Sequence, residues 1–171
     1  EILCVDNGSD DHTRQEIERA KQTFTRPDRS IRLISCVIPG RANALNEGLA
    51  HIRTDAFVTV DADTLLEKNA LATILARRES SGAACVAGNL LVADTNRWVQ
   101  RMQIYDYLIS IAAVKRYQGS YGATLVAQGA FSAYETCAVK QIGGWTQGAG
   151  EDIVLTYRLL ALGRVSLYEP R

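Results

Sequence analysis

The sequence lacks the features that would place it in several common functional classes. Three prolines in 171 residues leave little room for a flexible linker. No apolar run approaches the roughly 20 residues that a membrane-spanning helix requires, and no signal peptide is visible. The four cysteines, Cys4, Cys36, Cys85 and Cys137, stand far apart without a C-x-x-C pair or a neighbouring histidine. This excludes a zinc site and points to buried, reduced thiols in a reducing, cytosolic environment. The two histidines, His12 in a polar loop and His51 near a helix end, have no second histidine at ligand spacing and read as surface residues. No G-x-S-x-G elbow, Walker loop or dinucleotide fingerprint occurs, which removes hydrolase, NTPase and Rossmann oxidoreductase readings. Charge of one sign is not in excess either: 19 basic residues balance 19 acidic ones. Neither nucleic acid nor an anionic surface is therefore called for as a partner. The chain opens without methionine on strand-like Ile2-Leu3-Cys4-Val5 and stops at Glu169-Pro170-Arg171, as expected of a piece of a longer protein.

What the chain does have is alternation. With 47% hydrophobic residues it can bury one sizeable core, and a single domain over 1–171 is expected. Short β-type runs at 2–5, 31–37, 56–60, 83–87 and 164–168 are separated by helical spacing at 13–23, 42–52 and 68–78 and by a longer segment at 97–116. Such alternation predicts an α/β fold on a mostly parallel sheet flanked by helices. The strands are almost uniformly apolar, as when both faces of a sheet are covered. In 97–116, Trp98, Met102, Tyr105, Leu108, Ile109 and Ala112 form an apolar stripe, with Arg97, Arg101, Asp106 and Lys115 elsewhere on the surface. Two readings of the stripe stand open: core packing, or an interfacial helix on the acceptor side that meets lipid or a membrane region outside this piece.

Ligands of open α/β sheets bind beyond the carboxyl ends of the strands, so the polar residues there carry the chemistry. After the first strand, Asp6-Asn7-Gly8-Ser9-Asp10-Asp11 serves as a turn and helix cap, or offers Asp6 to a base or ribose. After the second, Arg41 in the first turn of a helix suits a diphosphate, and the poor helix formers Asn43 and Asn46 favour a polar site. After the third, Asp61 and Asp63 share one side of an extended chain. Two carboxylates so close suit a hard cation that also wants phosphate oxygens, unless Asp63 or Thr64 merely caps the next helix. Finally, Gly143-Gly144-Trp145 and a small-residue loop lead into Glu151-Asp152, a helix start where acids are stabilised by the dipole and where one acid would suffice as a cap.

Taken in order, Val5-Asp6-Asn7-Gly8-Ser9, Gly40-Arg41-Ala42-Asn43-Ala44-Leu45-Asn46, Val60-Asp61-Ala62-Asp63, and Gly129-Ala130-Phe131 through Gly143-Gly144-Trp145 to Glu151-Asp152 resemble the family-2 glycosyltransferases of GT-A fold. The likeness is greatest to the membrane-bound processive β-glycan synthases. It spans nearly the whole chain. The resemblance implies that 1–64 is a nucleotide-sugar-binding half and 65–171 an acceptor-side half. It implies that Asp6 contacts the uracil or ribose, that Arg41 lies near the diphosphate where the family usually has lysine, and that Asp61 touches the nucleoside while Asp63, with Asp61, binds Mg²⁺ or Mn²⁺. Asp152, paired with Glu151, would be the general base. Asn7, Asn43, Asn46, Gln128, Gly129 and Trp145 would complete the substrate contacts, with Gln128 near the acceptor and Phe131 either beside it or in the core. Two features depart from the pattern. The apolar strand that usually opens the family would precede Glu1, and the Q-x-x-R-W motif is absent, echoed only by Arg97-Trp98.

The implied activity is inverting transfer of a hexose from a UDP-sugar to a growing β-linked glycan, with N-acetylglucosamine the preferred sugar because 129–132 looks most like the poly-N-acetylglucosamine type. The implied setting is the cytoplasmic face of a bacterial inner membrane, with membrane-spanning helices outside this piece. Two other classes predict different behaviour. A non-catalytic nucleotide-sugar-binding module would bind without turnover, and a nucleotidyltransferase would release pyrophosphate, although the glycine- and lysine-rich phosphate loop of the latter is missing.

Overall fold

A computed structural model describes residues 1–24, 28–93 and 96–171. Its contacts divide the chain into two compact units, one of residues 1–53 with 144–151 and one of residues 54–143 with 152–171.

In the first unit, β1 (Ile2–Asp6) and β2 (Ile31–Ser35) pair in parallel, from Ile2 opposite Ile31 to Asp6 opposite Ser35. The Cys36 N–H donates to the Asp6 carbonyl at 2.8 Å and prolongs the ladder by one bond. Helix α1 (Thr13–Thr23) joins the two strands, and α2 (Arg41–His51) follows β2. Gly48 lets α2 approach β1 closely, since a Cβ there would meet the Val5 side chain at 3.3 Å. Ile34, Cys36, Ala42, Leu49 and Trp145 are buried here, together with the Asp6 carboxylate. The remaining strand residues are half-buried or exposed, so this small sheet is less covered than its uniform hydrophobicity implies.

The second unit holds β3 (Ala56–Val60), α3 (Ala70–Ser81), β4 (Cys85–Ala87), α4 (Trp98–Tyr107), a π-helix (Leu108–Ala113) and α5 (Val114–Ser120). After these come β5 (Phe131–Glu135), α6 (Thr136–Gln141), α7 (Glu151–Ala161) and β6 (Ser166–Tyr168). Glu151 itself groups with the first unit. The strand order is β3-β5-β4-β6, with β5 antiparallel to both neighbours and β4 parallel to β6. The α/β architecture therefore stands, but this sheet is mixed. Its antiparallel member is the strand that hydrophobic pattern does not reveal: Phe131-Ser132-Ala133-Tyr134-Glu135 has small and polar residues of low β-propensity. Its position between two strands buries it regardless, and Phe131, read as either core or acceptor contact, is 5% exposed and belongs to the core cluster with Ile74, Val86, Ala133 and Leu167.

Three expectations are corrected. The stripe along 97–116 is not core: Trp98 is 73% exposed, and Met102, Tyr105, Leu108 and Ile109 are exposed as well. Lys115, placed on the surface from its spacing, is buried. The intervening π-helix explains the second point, because a widened turn rotates every later residue relative to a 3.6-residue spacing. Burial of the cysteines holds for Cys36 and Cys85, whereas Cys4 is half-buried and Cys137 exposed. His12 and His51 do lie on the surface, beside Gln15 and Glu47. Among the described residues, no helix is long and apolar enough to cross a membrane.

The junction of β4 and β5 is tight. Gly88 donates its N–H to the Phe131 carbonyl at 2.9 Å, and a Cβ on Gly88 would run into the Phe131 ring. Gly88→Ala is expected to lower the unfolding free energy by about 1–3 kcal/mol, the cost of overpacking a filled core. Urea denaturation measures it.

Candidate active site

Asp6 ends β1 as a buried carboxylate. The Ser9 N–H donates to Asp6 Oδ1 at 3.0 Å, and Arg14 Nε lies 3.5 Å from Oδ2. Hydrogen bonds from the Ser9 side chain and backbone hold the Asp6 carboxyl below its usual range, with a smaller contribution from Arg14. The carboxylate is thus kept ionised at the C-terminal end of a strand, where an α/β sheet presents its ligand groups. Arg14, which also donates to Ser35 Oγ, was not singled out from the sequence; its place in the first turn of α1 gave no signal of this.

Asn7 is a brace. Its Nδ2 donates to the Cys36 and Ile38 carbonyls at 3.2 and 2.8 Å, and its Oδ1 accepts the Gly40 N–H at 2.8 Å. The Asp6–Asn7 turn therefore shapes the loop that leads into α2. Helix α2 in turn clasps the segment after Gly144. Asn46 pairs with the backbone of Trp145 in both directions, Oδ1 accepting the N–H at 2.9 Å and Nδ2 donating to the carbonyl at 2.8 Å. Asn43 accepts from Gln147 Nε2 and donates to the Pro39 carbonyl at 2.7 Å, while Arg41 donates to Glu151 Oε1. Gly144 has φ +74°, and a Cβ there would strike the Asn46 side-chain oxygen, so the clasp requires glycine.

These contacts give physical roles to residues expected at substrate. Trp145 is 3% exposed, with its backbone held by Asn46. Arg41 and Glu151 form an ion pair, with Glu151 the more enclosed partner. Partial burial pushes the Glu151 carboxyl up, but hydrogen bonding from Arg41 and the backbone, with the Arg41 charge, outweighs it and leaves the group below its ordinary range. Glu151 is thus held as an anion by a cation, the reverse of what a proton donor requires.

In the second unit, Asp61 and Asp63 follow β3 in a turn, closed by the Thr64 N–H donating to the Asp61 carbonyl at 3.0 Å. The expectation that they share one side of an extended chain is corrected, because the strand ends at Val60. Neither Asp63 nor Thr64 caps the next helix, whose N-cap is Asn69. Asp61 is half-buried and Asp63 exposed. Among the described residues no group of three or more His, Cys, Asp or Glu could hold an ion. A cation of the Mg²⁺ type, taking most of its ligands from phosphate and water, needs only one or two carboxylates, and hard oxygen donors at a turn fit it.

Residues 126–130 connect this turn to Asp152. The Asp61 N–H donates to the Ala130 carbonyl at 3.2 Å, and the Gly129 N–H donates to Asp152 Oδ2 at 2.8 Å. Asp152 lies in the first turn of α7, where Thr156 Oγ1 donates to its carbonyl at 2.7 Å and accepts the Ala127 N–H at 3.0 Å. Lys115 Nζ donates to the Val126 carbonyl at 2.7 Å and to Gln128 Oε1. Within this unit the structure brings together Asp61, Gln128, Gly129 and Asp152. It adds Lys115 and Thr156, which no motif in the sequence marked.

Burial lowers the Lys115 ammonium from 10.5 to about 7, only partly offset by the nearby Asp152 and Cys85. Between those values the unfolded chain binds the proton more tightly, so the lysine makes stability rise with pH from about 7 upward and contributes no slope below it. The gain in unfolding free energy from pH 6.5 to 9 is expected to be larger in the wild type than in Lys115→Met by about 2 kcal/mol. Urea denaturation at the two pH values tests this.

The chain is similar to several known proteins. Poly-beta-1,6-N-acetyl-D-glucosamine synthase of Staphylococcus epidermidis is 27% identical over 174 residues, covering 100% of the chain and 41% of that protein. The synthase of the same name from Staphylococcus aureus strain COL is 28% identical, covering 99% and 41%. The chain thus spans about two fifths of the length of these curated relatives. Among solved structures, the mannosyltransferase PcManGT from Pyrobaculum calidifontis in complex with GDP-Man and Mn²⁺ superposes with a TM-score of 0.77 at 22% identity, over 99% of this chain and 45% of that one. S. aureus TarS 1–349 in complex with UDP-GlcNAc gives 0.67 at 16%, over 100% and 49%. These neighbours bear out the GT-A-like fold. Residues 1–143 match the profile of Glycosyl transferase family 2, most of the chain, and the chain belongs to that family.

Proposed function

We propose that this chain is the catalytic part of an inverting glycosyltransferase that moves N-acetylglucosamine from its UDP-activated form to a growing β-linked glycan. The observation that carries this reading is the 126–130 segment, which binds the turn of Asp61 and Asp63 through Ala130 and the Asp152 carboxylate through Gly129. The backbone of Asp61 and the carboxylate of Asp152 both attach to this one short stretch, which supports a shared site for cation and proton acceptor. The preference for N-acetylglucosamine is supported by the named activity of the curated relatives and by the donor bound to TarS.

In this mechanism Asp6 meets the nucleoside, and Asp63 with Asp61 holds Mg²⁺ or Mn²⁺, which when bound offsets the charge of the diphosphate leaving group. The presence of Mn²⁺ in the mannosyltransferase neighbour supports that choice of cation. Asp152 accepts the proton of the acceptor hydroxyl as its oxygen attacks the anomeric carbon from the face opposite the nucleotide, inverting the configuration. The Gly129 N–H keeps one carboxylate oxygen occupied and so aims the other. Gln128 offers its side-chain amide to the acceptor, while Arg41 and Glu151 hold one another as an ion pair within the first unit. In the full-length protein the domain works at the cytoplasmic face of the bacterial inner membrane, with the exposed stripe from Trp98 to Ile109 on the acceptor side.

In the full-length protein, Asp152→Asn is expected to lower kcat by about 10²–10⁴-fold with little change in donor affinity. Asp63→Ala is expected to weaken Mn²⁺-dependent UDP-N-acetylglucosamine binding followed by calorimetry. Unchanged turnover in Asp152→Asn would sink the general-base assignment. Donor binding without turnover in the wild type would leave a nucleotide-sugar-binding module.

A further inference from the structure

Lys115 is the buried cation whose role neither the sequence motifs nor the proposed mechanism accounts for. It projects from α5, is 5% exposed, and its ammonium reaches two oxygen acceptors on 126–128, the Val126 carbonyl and Gln128 Oε1. Neither acceptor carries a charge. Burying an ammonium against neutral partners costs several kcal/mol that a neutral donor would avoid, so a tie between α5 and the loop does not by itself account for a lysine here. Asp152 from α7 attracts the ammonium, while the nearby Cys85 thiol from β4, pushed up to about 11 by burial, is neutral near pH 7.

Two other connections of the loop lead to Asp152, one to its backbone and one to its carboxylate, and two lead to β5. The Ala127 N–H is held by Thr156, whose hydroxyl donates to the Asp152 carbonyl. The Ala127 carbonyl accepts from Tyr134 OH at 2.9 Å, and the Gln128 carbonyl accepts from Ser132 Oγ at 2.6 Å. Next comes the Gly129 N–H, which holds Asp152 Oδ2. Lys115 secures the start of this run and, by occupying Gln128 Oε1, leaves the Gln128 NH₂ as the donor end of that amide.

We infer that Lys115 is a positioning residue for the proton acceptor of this site, acting through the 126–129 segment on the Asp152 carboxylate and on the orientation of the Gln128 amide toward the hydroxyl-bearing acceptor. This rests on the reading of Asp152 as the general base. Lys115 touches no reacting atom. Its removal costs turnover by loosening the aim of the carboxylate, and leaves donor binding, which draws on Asp6 and the Asp61–Asp63 turn, intact.

The test uses the full-length protein with Lys115→Met, Lys115→Gln and Asp152→Asn. Lys115→Met is expected to lower kcat at least tenfold, with the Mn²⁺-dependent dissociation constant for UDP-N-acetylglucosamine within about twofold of wild type, and with amide exchange across 126–130 at least tenfold faster. Lys115→Gln, which keeps a donor without the charge, is expected to recover part of the exchange protection and little of the rate, and it serves as the folded variant should Lys115→Met fail to fold. A kcat within twofold of wild type in either variant overturns the inference. So does a loss of rate matched by an equal loss of donor affinity, which marks a merely structural lysine. Asp152→Asn separates the two layers. If it is inactive while Lys115→Met is active, the inference alone fails. If it is active, the general-base reading fails and the inference resting on it fails too, whatever the exchange shows.

Discussion

Residues 126–130 form neither helix nor strand, yet their polar groups are taken up on all sides: Val126 by Lys115, Ala127 by Thr156 and Tyr134, Gln128 by Lys115 and Ser132, Gly129 by Asp152, and Ala130 by Asp61. Buried irregular backbone is tolerable only when each N–H and C=O finds a partner, so the surrounding elements are constrained by this stretch as much as it is by them. Helices α5 and α7, strand β5 and the turn after β3 each contribute a group. The geometry of the second unit's candidate site follows from meeting those demands together.

The first unit solves a similar problem with side-chain amides. Asn7, Asn43 and Asn46 each satisfy backbone groups of a neighbouring loop, and each uses donor and acceptor ends at once. Asparagine is a poor helix former because it competes for backbone hydrogen bonds. On α2 that competition is turned outward, onto residues nearly a hundred positions away in sequence for the Asn46–Trp145 pair. The motif that resembles a donor-binding sequence is thus also the motif that holds the segment leading to Glu151.

Motif and mechanism divide differently from what residue type alone implies. Glu151 and Asp152 are adjacent acids at one helix start, yet Glu151 is paired with a guanidinium and Asp152 with a peptide N–H. The guanidinium makes Glu151 an ion-pair partner while Asp152 takes up a peptide N–H, and such differences of environment are the kind that divide chemistry between neighbouring acids. Lys115 belongs to the same logic: buried near Asp152, its ammonium is lowered to about 7 by desolvation and only partly restored by that carboxylate.

By itself the sequence determined the alternation of strands and helices, the helix at 13–23 to the residue, and the strand end, turn and helix start at which Asp6, Asp61 with Asp63, and Asp152 fall, because hydrophobic spacing and turn chemistry are local properties. The ordered motifs also sufficed for the family, which residues 1–143 match. Tertiary structure alone decided that Phe131–Glu135 is a strand, since its burial comes from neighbours distant in the chain rather than from its own β-propensity. It alone decided that Lys115 points inward, because a π-turn breaks the spacing from which an outward position was read. It also decided that the stripe from Trp98 to Ile109 lies exposed, which amphipathic spacing cannot settle, for the spacing is the same whether a helix faces a core or the outside. Partners of a hydrogen bond across a hundred residues leave no trace in local pattern, and the clasp of Arg41, Asn43 and Asn46 on 145–151 is made of such bonds.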